Sequence, residues 1–243
     1  MGSISDHTRP VETLEAYATS DSSAVVFTAD TMGIVKVWDV TKEDGPAPRW
    51  KASLRDELKH HRTGVNDMYY GEGQLWTASS DESVQIVNYP TPSTAATNPQ
   101  KPIPPITHPK PVKALLPLSL SPLAESVLIT GNGDVIRTYD VSSLDEPELL
   151  GEVDGHWHDV LALRLWLRQR RSDDSDKVTV EPWIVSTSLD GTIRKWRLSE
   201  LVSPTPTVVK KPEEIVEKPN PQDDAFGMTE EEERELAELM DSD

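Results

Sequence analysis

The feature that most constrains this fold is a recurring pair, a histidine followed four residues later by a valine. It stands at His7–Val11, His61–Val65, His108–Val112 and His156–Val160, with starts 54, 47 and 48 residues apart. A period of this length marks one supersecondary unit copied along the chain. Such units stack because no single copy can bury its own apolar face.

Behind each anchor the sequence predicts two strands of alternating polarity joined by a polar or glycine-bearing turn. In the first unit these are Ala24–Thr28 and Ile34–Trp38, and in the second Gln74–Ala78 and Val84–Val87. The third has Ser126–Thr130 and Val135–Tyr139, and the fourth Trp183–Ser186 and Thr192–Trp196. Weaker stretches supply a further strand per unit: Arg49–Leu54, Lys101–Thr107, Glu148–Val153 and Thr207–Lys211. Strand signals with few helical ones predict an all-β class. Eight of the 20 prolines fall between Pro90 and Pro111, so the second-to-third connection reads as a long, stiff loop.

Gly155-His156, Ser188, Asp190-Gly191 and Trp196 in the fourth unit, with Val37-Trp38-Asp39 in the first, resemble the WD-repeat family of β-propellers. The resemblance spans about residues 7 to 201 and implies about four blades: 7–54, 61–107, 108–153 and 156–211 with outer strands. It also implies a buried network of His, Ser or Thr, Asp and Trp in each blade. A satisfied network rigidifies a small sheet that has little core of its own. Carried over residue by residue, the set is complete in the fourth unit as His156, Ser188, Asp190 and Trp196. The second keeps His61, Ser79 and Asp81 but has Val87 for Trp, and the third keeps His108 with Tyr139 for Trp. The first keeps His7 and Trp38 but has Met32 at the Asp position, so a complete network is expected only in the last unit.

Four units are few for this family, whose rings run from about four to eight blades. Three arrangements answer that shortage: the C-terminal part of a longer ring, a ring completed by a partner or second copy, or a self-closed four-bladed form.

Composition narrows the partners. A net charge of −18 opposes general nucleic-acid binding, which needs a basic footprint, and opposes docking on an anionic membrane. With no cysteine, neither disulfides nor thiolate metal sites are available. No leader-like apolar segment opens the sequence, so the expectation is an intracellular protein, nuclear or cytoplasmic.

Residues 202–228 are rich in Pro, Lys and Glu and read as a linker, and 229–241 as a short acidic helix opened by a capping box at Thr229. Leu236, Leu239 and Met240 share one face of that helix and are candidate partner contacts. Trp50, Trp157 and His158, near blade ends, are further candidates. So are Arg168, Arg170 and Arg171, in an insert from Arg164 to Pro182 that reads as a solvated loop.

No catalytic, cofactor or metal residues are assigned. His156-Trp157-His158 has metal-ligand spacing but lacks a third ligand, and Gly131-Asn-Gly-Asp134 lies in a hairpin rather than before a helix N-terminus. The reading is a non-enzymatic scaffold that assembles a multiprotein complex, with a basic protein favoured by the acidic tail. The alternative is a ligand-binding, metal-binding or catalytic propeller whose pocket is not visible in the sequence.

Overall fold

The computed structural model describes residues 4–43, 49–89, 102–172 and 175–203, without side chains at 170–172 and 175–178. It is an all-β fold of four similar antiparallel sheets. Sheet 1 holds β1 (Val11–Ser20), β2 (Ser23–Asp30), β3 (Val35–Glu43) and β4 (Arg49–Leu58). Sheet 2 holds β5 (Val65–Gly71), β6 (Gln74–Ser79), β7 (Ser83–Asn88) and the two-residue β8 (Ile106–Thr107). Sheet 3 holds β9 (Val112–Pro117), β10 (Val127–Asn132), β11 (Val135–Asp140) and β12 (Glu148–Asp154). Among the described residues sheet 4 has three strands, β13 (Val160–Ser172), β14 (Ser175–Ser188) and β15 (Ile193–Arg197), followed by α1 (Leu198–Val202). Strands lie in chain order within every sheet.

The four anchor valines are the first residues of β1, β5, β9 and β13. One hydrogen bond recurs at the same place in each sheet. The turn residues Thr31, Ser80, Gly133 and Leu189 donate their N–H to the carbonyls of Pro10, Gly64, Pro111 and Asp159, at 3.2, 3.0, 3.3 and 3.1 Å. Each acceptor stands immediately before its anchor valine, so the turn between the second and third strands is tied to the start of the first.

A second recurrence lies in the register. Pairing of the first strand with the second slips by one residue just after each anchor valine, leaving Glu12, Asn66, Lys113 and Leu161 bulged. A bulge bends its strand and re-aims the extra side chain.

Three apolar clusters join successive sheets. Val25, Phe27 and Val35 of sheet 1 pack with Val65, Met68 and Leu75 of sheet 2. Trp76, Val84 and Ile86 meet Val112, Leu115 and Leu128 between sheets 2 and 3. Ile129 and Ile136 meet Val160, Leu163 and Ile184 between sheets 3 and 4, where Leu198 and Leu201 of α1 also bury. Gly131 allows the closest approach there, since a Cβ on it would meet Val160 Cγ1 at 2.7 Å.

The insert expected as a loop from Arg164 to Pro182 is instead an extension of β13 and β14, paired from Arg164↔Val185 to Arg171↔Val178. A projecting hairpin needs no core to keep its backbone bonds, and cross-strand Trp166–Trp183 and Arg168–Glu181 pairs favour the register. The expected outer strand Thr207–Lys211, the linker and the acidic helix lie outside the described residues.

Candidate functional site

Buried histidines organise each sheet. In sheet 4, His156 Nδ1 lies 3.0 Å from Asp190 Oδ2, its Nε2 lies 2.8 Å from Ser186 Oγ, and Trp196 Nε1 donates to that hydroxyl at 2.9 Å. Donors must alternate along this chain. The indole N–H donates to Oγ, the O–H donates to Nε2, and the remaining ring proton sits on Nδ1 and is donated to the carboxylate.

The hydroxyl is therefore Ser186, not Ser188. Ser188 Oγ donates to the His158 carbonyl at 2.9 Å and accepts the Asp190 N–H at 3.1 Å, holding the turn. Sheet 2 repeats the correction. His61 pairs with Asp81 at 3.1 Å and with Thr77 Oγ1 at 2.7 Å, while Ser79 donates to the Gly64 carbonyl at 3.0 Å. Residues two apart on a strand share a face, so the two hydroxyls perform adjacent tasks.

Sheet 1 also departs from expectation, because its network is complete. His7 Nδ1 donates to Asp30 Oδ2 at 2.9 Å, Thr28 Oγ1 meets Nε2 at 2.8 Å, and Trp38 Nε1 donates to Thr28 at 2.8 Å. Asp30 occupies the place of Ser79 and Ser188, and it also accepts the N–H groups of Met32 and Ile34. In sheet 3, His108 keeps a hydroxyl, Thr130 at 3.1 Å, but its Nδ1 donates to the Ile106 carbonyl at 3.2 Å. Tyr139 stands edge-on to that ring in place of an indole.

Electrostatics follow from burial. Desolvation lowers the pKa of His61, and of His108 to about 4, because a cation there would lose its water. Burial alone raises the Asp81 carboxyl, but bonds from Ser83, the Arg62 N–H and His61 outweigh it and bring it down to about 2. Asp190 is likewise lowered: desolvation opposes, and bonds from Thr192, the Trp157 N–H and His156 prevail.

The bulges build a separate feature. Glu12, Asn66, Lys113 and Leu161, equivalent in the four sheets, line one cleft of about 500 Å³ together with Asp159 and Leu189. Lys113 Nζ donates to Asn66 Oδ1 and Ser80 Oγ, and Asn66 Nδ2 donates to the Val112 carbonyl at 2.7 Å, so its floor is cross-linked. Among the first strands lies a charged group that sequence reasoning missed. Asp67 accepts the Leu115 N–H at 3.0 Å, and burial pushes its carboxyl up to about 6. Arg164 Nη1 donates to Tyr69 Oη at 3.0 Å. The available signal was an aspartate inside a strand, followed directly by Met68, Tyr69 and Tyr70.

Of the expected contact residues, Trp157 is 88% exposed, its N–H fixed to Asp190 Oδ2 at 3.1 Å. His158 is exposed and accepts the Asp159 N–H. Trp50 is half-exposed on β4, and Arg168 is exposed on β13. The side chains of Arg170 and Arg171, and residues Leu236, Leu239 and Met240, lie outside the described residues. Among the described residues there is no group of three or more His, Asp or Glu placed to hold a metal, and no helix long and apolar enough to cross a membrane.

No protein-family model and no curated protein sequence matches the chain. Solved structures do. The computationally designed Ika4 protein is similar with a TM-score of 0.51 and 18% identity, over 81% of this chain and 99% of that one. The computationally designed Ika8 protein is similar with a TM-score of 0.50 and 19% identity, over 79% of this chain and 46% of that one. The likeness is one of fold.

Proposed function

We propose that the chain is a WD-repeat β-propeller unit that works as a non-enzymatic, intracellular scaffold for a multiprotein complex. The observation that carries this reading is the convergence of the four bulge residues on one cleft, together with the exposed Trp157, whose backbone N–H is pinned to Asp190. A bulge repeated in every sheet aims one side chain per repeat at a shared surface. The buried networks hold the turns around that surface, so a partner meets a platform that is already ordered and pays little entropy on binding. An exposed tryptophan with a fixed backbone is the residue type that anchors protein interfaces. The acidic segment from 229 to 241 supplies a second, tethered contact in this reading, suited to a basic partner.

The test is affinity purification of the tagged full chain, of Trp157→Ala, and of a chain ending at residue 224. The expectation is a reproducible partner set, weakened by Trp157→Ala and weakened separately by removal of the tail. Identical partner sets from all three proteins would sink the scaffold reading.

A further inference from the structure

The repeat makes every sheet a control for the others, and three positions break ranks. Residues seven beyond each anchor histidine are Leu14, Met68, Leu115 and Leu163, with exposures of 60%, 2%, 0% and 0%. The anchor valines behave alike: Val11 is 48% exposed, and Val65, Val112 and Val160 are fully buried. At the start of the third strand, Val35, Val84 and Ile136 are fully buried, but Ile193 is 74% exposed. The chain thus carries core-type residues on one face of sheet 1 and on one face of sheet 4, and no described residue covers either.

These are opposite halves of the same kind of interface. Each inner interface packs the third-strand residue and a second-strand residue two places before its partner, such as Val35 and Phe27, onto the next sheet's anchor valine and the residue three beyond it, such as Val65 and Met68. Sheet 4 offers the first half, Ile193 and Val185, and sheet 1 the second, Val11 and Leu14. The glycines agree. Gly33, with φ of 81°, approaches the Thr63 and His61 carbonyls of the next sheet, whereas its equivalent Gly191, with φ of 77°, has nothing within 4 Å.

We propose that these faces join two copies of the chain, with sheet 4 of each on sheet 1 of the other. Such a head-to-tail contact closes after two copies, satisfies all four open faces with two identical interfaces, and leaves no sticky end. The result is a cycle of eight sheets. A unit of this fold also occurs as part of a larger chain, since the likeness to Ika8 takes in 46% of that protein.

The experiment is the solution mass of the full chain over a concentration series, for wild type, Leu14→Glu and Ile193→Glu. Wild type is expected at twice 27.0 kDa, and each variant alone at 27.0 kDa with an unchanged circular dichroism spectrum. Mixing the two variants restores one intact interface, so the mixture regains the doubled mass. A wild-type monomer throughout the series overturns the proposal. If hydrogen exchange then shows Leu14 and Ile193 segments protected, the faces meet within one chain. If it shows them open, the faces take a different partner. A wild-type dimer untouched by either substitution overturns it as well.

Discussion

Trp196 donates its indole N–H to Ser186 Oγ at 2.9 Å, and Trp38 makes the same bond to Thr28 at 2.8 Å, 158 residues earlier in the chain. Both hydroxyls pass their own proton to a histidine. The first and last sheets therefore keep the full relay, and the middle two keep its histidine and hydroxyl.

The relay should be sensitive to its hydroxyl. Ser186→Ala leaves Trp196 Nε1 and His156 Nε2 without a partner, one of them deep in the sheet. The expected loss is about 1–3 kcal/mol of unfolding free energy by urea titration, with the fold retained. Thr28→Val, which keeps the shape, should cost a similar amount. Ser188→Ala should cost less, because it spares the ring.

Acid stability should depend on His108. Its pKa falls from 6.5 to about 4 on folding, so between those values the unfolded chain binds more protons than the native one. Stability contributed by the neutral ring is complete above pH 6.5 and is lost as pH falls toward 4. The full span amounts to roughly 3 kcal/mol. His108→Gln should flatten this part of the stability–pH curve, and an unchanged curve would remove the assignment.

Asp67 should act with the opposite slope. Its carboxyl rises from 3.8 to about 6, so the native state holds the extra proton, and this group costs stability as pH rises from 3.8 through 6. Asp67→Asn keeps an acceptor for the Leu115 N–H and removes the buried charge. The variant should gain on wild type as pH rises from 4 to 7 in parallel melts. A gap that does not change with pH would place the charge in contact with water.

Two glycines separate backbone strain from crowding. Gly33→Ala and Gly191→Ala both force a Cβ into left-handed backbone, at a cost of about 1–2 kcal/mol. Only at Gly33 does the new carbon also collide with carbonyls, the nearest at 2.6 Å. In the single-copy Leu14→Glu background, Gly33→Ala should therefore lower the melting temperature distinctly more. Equal shifts would mean that the two turns have the same surroundings.

Much of this was readable before the fold. The anchor valines mark strand starts because a β-branched residue at a buried sheet corner leaves a strong sequence trace. Ser188 was misassigned for a physical reason: it and Ser186 share one face of β14, and alternation cannot tell a residue from the one two places along. Asp30 escaped for the same reason, lying two places before Met32. The bulges at Glu12, Asn66, Lys113 and Leu161 were invisible because register belongs to a pair of strands rather than to either one. The Arg164–Pro182 insert looked like a loop because its composition is polar, yet pairing along β13 and β14 needs only backbone.

Strand order within every sheet follows chain order, and each histidine finds its hydroxyl within 16 to 30 residues. Each sheet can thus form from one continuous length of chain, with small loops to close and no need to wait for distant segments. Folding can start at any sheet and spread to its neighbour, and in a chain held as a single copy unravelling should begin at the terminal sheets, each of which has one neighbour among the described residues. Limited proteolysis of the Leu14→Glu variant should accordingly release sheets from the ends inward, with sheets 2 and 3 the last to be released.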